Sequence, residues 1–280
     1  MIIPSLYSYD TNMKISETTI KTKPQNNIPA PGEKVVIAVL RKYGFLTSSL
    51  LQRAINVKNH RSLKVTSSLR KMQQQGKVLK YTITHDIDIQ DIDVYVLSKE
   101  ERSNSGFKSI FRYDMTDIPY ILEHLSITQW HIAMLEGELT KEVMLYRQIH
   151  LKDSISQVPS MVEYKPPFGK KLYICGISVP KGKHKDDFGA FLTRIISIDE
   201  YLKDHNESFR AYVIVIICES ESQIEELSKF LSNMAETSEL YLMYTIDALT
   251  AEDVLDPLSV LYDVERHEGE TSLNVIRIRG

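Results

Sequence analysis

The sequence predicts an α+β protein in two parts: a small domain of three helices and a strand hairpin, then a larger domain in which strands and helices alternate. Three observations predict it. Between Pro31 and Tyr81 stand 11 Lys/Arg and a single acid, Glu33, so that window carries +10 on a chain of net charge −3. In the same window, apolar residues recur three times at helical spacing and then alternate at strand spacing. Beyond Ser109, short apolar runs such as Ala211 to Cys218 are separated by helical stretches, as in a sheet covered by helices.

The elements follow in chain order. Residues 1–30 are polar, rich in Thr and Asn, and contain Pro4, Pro24 and Pro29, so a flexible arm is expected. The domain at 31–101 opens with EKVVIAVLRKYG (33–44), which places Val36, Val39 and Leu40 on one helical face, with Gly44 as a stop. Thr47 suits the N-cap of a second helix reaching Asn56. A third helix is expected from Ser62 to Gln75. Leu63, Val65, Leu69 and Met72 lie along one side, and Arg61, Lys64, Ser67, Ser68 and Lys71 along the other. KVLKYTI (77–83) and DVYVLS (93–98) read as paired strands, joined by the acidic THDIDIQDI. RSNSGFKS (102–109) suits a linker. In the second domain, 110–280, a helix is expected near 116–138, strands at 142–151, 159–164 and 171–179, and a helix at 186–203. A strand at 211–218, a helix at 220–236 and a strand at 240–246 complete it.

Helix, helix, helix, hairpin at these lengths resembles a winged helix-turn-helix, whose third helix enters the DNA major groove. A basic island on an otherwise acidic chain is the footprint of polyanion binding. Base contact is therefore expected from Ser62, Lys64, Ser67, Ser68 and Lys71. Phosphate contact is expected from Lys58, His60, Arg61, Lys77 and Lys80, with Arg70 a further cation on the same helix. The acids Asp86, Asp88, Asp91 and Asp93 would repel DNA, so the hairpin tip is expected to avoid phosphate.

The whole element order is similar to the replication-relaxation family of plasmid and mobile-element proteins, whose second domain resembles a restriction-endonuclease fold. The strings that carry the resemblance are VPSMVEY, LYICGISV and the helix ending SIDEYLKD. The resemblance implies a nuclease-like domain, but the acids are missing. Ser160 stands where the family has its first Asp, and Gly176 and Ser178 where it has the next two acids. Metal-dependent phosphodiester cleavage needs carboxylates converging on Mg²⁺. Glu163 alone makes a poor site. An inactive domain is expected, with no metal and no cofactor.

Other motifs add little. The nucleotide, dinucleotide, zinc-protease and hydrolase signatures are lacking. PPFGKK (166–171) is a turn with two lysines. PKGKHKDD (180–187) gathers Lys181, Lys183, His184 and Lys185 beside Asp186 and Asp187. It reads as a solvated loop, with a second DNA-backbone contact or metal binding through His184, Asp186 and Asp187 as alternatives. Trp130 and His131 lie in a helix read as amphipathic, where core packing is expected. Cys175 and Cys218 sit in apolar runs as buried free thiols. The N-terminus lacks a signal-peptide pattern, and the longest apolar run, eight residues, is too short to cross a bilayer. The expectation is a cytoplasmic, non-enzymatic, sequence-specific binder of double-stranded DNA. It would act in replication, maintenance or transcriptional control as a homodimer, with no membrane contact and room for a protein partner on the C-terminal domain. A metal-dependent nicking enzyme and a protein-interaction adaptor are the alternatives.

Overall fold

The computed structural model describes residues 13–18, 30–58, 63–84, 91–103, 111, 113–151, 155–181, 188–205, 211–233, 240–247, 261–267 and 270–276. Among them are seven helices and eleven strands, arranged in two sheets. The chain divides into two compact units between Ile121 and Leu122.

The first unit runs β1 (Lys14–Thr18), α1 (Pro31–Tyr43), β2 (Phe45–Leu46), α2 (Ser48–Val57), α3 (Val65–Gln74), β3 (Val78–Thr84), β4 (Ile92–Leu97) and α4 (Lys99–Ser103). Pro31 opens α1, where a missing N–H leaves no bond unmade. Gly44 closes it, donating its N–H to Leu40 O at 2.8 Å. Thr47 caps α2 by accepting the Leu50 N–H at 3.2 Å. Leu63 and Lys64 are not helical, so α3 starts at Val65, later than its periodicity predicts. Its start is set from outside. No side chain of its own caps it, and Gln52 Oε1 on α2 accepts the Val65 N–H at 3.3 Å. Val36, Val39, Leu40, Leu51, Ile55, Leu69 and Met72 fill the space among the three helices, all buried. Each contributes roughly 1.5–3 kcal/mol by leaving water.

The sheet of this unit has the order β1-β3-β4-β2, antiparallel throughout. Its outer strand β1 comes from the stretch read as an arm. It pairs with β3 from Lys14↔Thr84 to Thr18↔Lys80 and covers an edge that would otherwise offer unpaired backbone groups. Its residues are largely exposed, so backbone bonds hold it, helped by Tyr81 Oη donating to Glu17 Oε2 at 2.9 Å. Of the expected linker, 102 and 103 end α4, and 104–109 lie outside the described residues.

The second unit takes most of α5 (Ile118–Glu136), then β5 (Thr140–His150), β6 (Ile155–Tyr164), β7 (Leu172–Ser178), α6 (Phe188–Asp204), β8 (Tyr212–Cys218), α7 (Glu221–Ser232), β9 (Leu242–Ile246), β10 (Leu261–His267) and β11 (Glu270–Ile276). The seven strands lie in order β11-β10-β9-β8-β7-β6-β5. β7, β8 and β9 are parallel, linked through α6 and α7; the other neighbours are antiparallel. Cys175, Ile177, Ile214 and Ile216 pack one sheet face against Phe191, Ile195 and Leu202 of α6 and Ile224 and Leu227 of α7.

The opposite face meets α5. This helix is not amphipathic, contrary to its sequence reading: every residue from His124 to Met134 is buried. Several of its polar positions look inward and are bonded there. Thr128 Oγ1 lies 3.3 Å from Tyr146 Oη, Ser126 donates to Asp247, and Gln129 Nε2 donates to Asp247 O at 3.0 Å. A polar residue at helical spacing marks a wet face only when nothing inside can bond it.

Candidate nucleic-acid interface

Helix α3 buries Val65, Leu69 and Met72 and presents the remainder outward. Lys64, Thr66, Ser67, Arg70, Lys71 and Gln74 are exposed, and Ser68 is half-buried. Residues 66, 70 and 74 follow one another at one-turn spacing, so they form a row along the helix. Ser67 and Ser68 turn their hydroxyl protons back onto Lys64 O, at 2.9 and 3.5 Å, which leaves oxygen lone pairs outward as acceptors. Lys64 and Arg70 form no ion pair among the described residues. Lys58, at the end of α2, is also exposed, and His60, Arg61 and Ser62 lie outside the described residues.

The other expected contacts are placed differently. Lys77 is half-buried and its Nζ lies 3.3 Å from Glu33 Oε2; Lys71 Nζ lies 2.7 Å from Glu33 Oε1. Glu33 is 3% exposed. Burial alone would raise its pKa, but hydrogen bonds and charge from Lys71 and Lys77 outweigh burial and hold the carboxyl below its ordinary value. The single acid of the basic window is thus turned inside, where it joins α1 to the end of α3 and the start of β3. Lys80 pairs with Asp93 across the β3–β4 hairpin at 2.7 Å, and that bond raises the lysine pKa. Asp93 also accepts from Thr82 Oγ1 at 2.8 Å, while Asp86 and Asp88 lie outside the described residues. Lys77 and Lys80 therefore serve as internal ties, Lys71 divides between Glu33 and solvent, and Lys64 and Arg70 are the cations that α3 presents outward.

Sequence reading passed over Thr66, Gln74 and Gln52. The first two are uncharged; their signal was one-turn spacing from Arg70. Gln52 acts by reaching from α2 to the first N–H of α3, which spacing within one helix does not show.

In the second unit, two of the three positions expected to lack nuclease acids, Ser160 and Gly176, lie against α5, and the third, Ser178, is buried. Ser160 is fully buried, its Oγ 2.6 Å from His131 Nδ1, and His131 Nε2 lies 3.0 Å from Glu142 Oε2. Gly176 faces Trp130 so closely that a Cβ would sit 2.4 Å from the indole ring. Ser178 is buried and donates to Val179 O at 3.2 Å. Glu163 pairs with Lys171 at 3.0 Å; that bond lowers its pKa. Trp130 and His131 are both fully buried, as core residues.

Lys181 corrects the reading of its loop as solvated. It is 3% exposed, and its Nζ lies 2.5 Å from Asp247 Oδ2 and 3.4 Å from Glu219 Oε1. The reason is topological: β7, β8 and β9 are parallel neighbours, so the residues after their carboxyl ends converge. Residues 182–187 lie outside the described residues. Cys175 and Cys218 are buried, and burial pushes both thiols up, Cys175 to about 12. Among the described residues, no group of three or more His, Cys, Asp and Glu is placed to hold a metal ion, and no helix is long and apolar enough to cross a membrane. Comparison with models of known protein families, with curated proteins and with solved structures gave no match.

Proposed function

We propose that the first unit is a winged helix-turn-helix and that the chain binds double-stranded DNA sequence-specifically through α3. The observation that carries this reading is the sorting of charge. The one acid of the +10 window is buried under the helices, and the outward side of α3 holds Lys64, Arg70 and Lys71 among Thr66, Ser67 and Gln74. Cations supply affinity through phosphate; hydroxyls, the Gln amide and a guanidinium read base edges. The element order supports it: α1, β2, α2, α3, then the β3–β4 hairpin with β2 beside β4.

The second unit is then a nuclease-like scaffold without the acids, which dimerises the protein or recruits a partner. The setting in a plasmid, phage or integrative element, and the role in replication, maintenance or transcriptional control, rest on the resemblance of the sequence. One observation favours metal-dependent nicking as a second reading. Lys181, Glu219 and Asp247 bring a lysine and two carboxylates together at the ends of three strands.

The test is binding of the full chain to labelled genomic fragments. Selective retention of a subset is expected, with Lys64→Ala/Arg70→Ala abolishing the selection. Absence of binding to any fragment at low salt would sink the reading and leave the adaptor alternative.

A further inference from the structure

The tip of the β6–β7 hairpin joins β6 (Ile155–Tyr164) to β7 (Leu172–Ser178). Its residues are Lys165, Pro166, Pro167, Phe168, Gly169, Lys170 and Lys171. Phe168 is 95% exposed, the most exposed of the large hydrophobic side chains among the described residues. It is held out by stiff backbone. Two prolines precede it with fixed φ, and Gly169 follows at φ +127°, a conformation that side-chain-bearing residues rarely adopt. The base of the tip is tied down as well: Lys165 N–H bonds Leu139 O at 2.9 Å, and Glu163 holds Lys171 at 3.0 Å. Lys165 and Lys170 are exposed and form no ion pair among the described residues. Outside the basic window the chain carries −13, yet these seven residues hold three cations and no acid.

We infer that this tip is a second nucleic-acid contact, in which Phe168 stacks on or wedges beside a base while Lys165 and Lys170 meet the flanking phosphates. A rigid, exposed aromatic between lysines fits that ligand. Phosphates take the charge, a base takes the ring, and preorganisation removes the ordering cost. An anionic membrane shares the charge complementarity, but one aromatic beside two proline rings offers little apolar surface to insert. The inference shares with the proposed function only the class of ligand; it does not depend on α3.

The experiment uses the full chain and a DNA duplex carrying 2-aminopurine, whose fluorescence rises on unstacking. Binding of wild type is expected to raise that signal. Phe168→Ala should remove the rise and weaken binding on the order of tenfold, with the salt slope unchanged. Lys165→Ala/Lys170→Ala should reduce the salt slope by about 1.8. The tip is solvent-exposed, so circular dichroism should show both variants folded. Wild-type affinity, slope and fluorescence in both variants would overturn the inference. So would intact duplex binding combined with loss of binding to phosphatidylserine vesicles, which would reassign the tip to a membrane. Adding Lys64→Ala/Arg70→Ala to each variant separates the two assignments. If that pair changes nothing while the tip variants lose binding, the α3 reading fails and the tip stands.

Discussion

Glu33 decides which lysines of the basic window remain available to a ligand. A carboxylate at 3% exposure is tolerable because two ammonium groups meet it, and those two are thereby withdrawn, one fully and one in part. Glu33→Gln should cost roughly 2 kcal/mol at neutral pH, less than a fully buried pair because Lys71 relaxes into water. The folded pKa lies below the ordinary value of 4.5, so the carboxylate stabilises the fold above that value, and the contribution is lost as pH falls through the folded pKa. The stability gap between wild type and Glu33→Gln, measured by urea unfolding, should therefore close in acid; an equal gap at pH 7 and in acid would contradict this. Two further variants separate structure from binding. Lys77→Ala should lower thermal stability and leave the DNA affinity of the folded protein unchanged. Arg70→Ala should do the reverse, losing about 1–3 kcal/mol of binding with no shift in melting temperature.

Elements were legible in the sequence wherever a single segment contained its own instruction. Thr47, Gly44 and the alternation of KVLKYTI set boundaries that the structure keeps within a residue or two. What escaped was supplied by other segments. The start of α3 depends on Gln52, the strand β1 depends on the edge of β3, and the inward polar side of α5 depends on Asp247 and Tyr146. The β10–β11 hairpin escaped because Asp263, Glu265 and Arg266 interrupt its apolar alternation. The candidate site followed the same division. The face of α3 was legible from its spacing, whereas the pairing of Lys77 was not, because Glu33 lies 44 residues away. Contact between α5 and the sheet gives the element-scale prediction. Gly176→Ala would drive a methyl into Trp130, and neither a central strand nor a buried indole yields easily. It should destabilise the second unit by about 1–3 kcal/mol. Trp130 is the only tryptophan, so its own fluorescence reports that unit, and a midpoint equal to wild type would refute the close approach.

Across the whole molecule, charge is partitioned: +10 lies in one window of a chain whose remainder is −13. A protein of this kind is repelled by DNA except through the window and any local cationic outpost, so its binding should be oriented and steeply salt-dependent. If about five phosphates are neutralised, the logarithm of affinity falls with that of salt by a slope of about −4 to −5. The same partition bears on catalysis. A hard cation such as Mg²⁺ is held by anionic oxygen, and a neutral hydroxyl is a weak substitute. Ser160 and Ser178 offer only hydroxyls and Gly176 nothing. Ser160 and Ser178 are fully buried, Ser160 beside His131 and Gly176 against Trp130, so a scissile phosphate has no approach to them. Glu219 and Asp247, at the ends of the parallel strands, meet Lys181 in the interior, where it already neutralises them in part. The expected outcome is that supercoiled plasmid stays intact with the purified protein and Mg²⁺ or Mn²⁺. Nicking that survives Glu219→Gln and Asp247→Asn would point to a contaminant. Nicking that those substitutions abolish, in variants that still melt cooperatively, would move the chemistry to the strand ends and make the chain an enzyme.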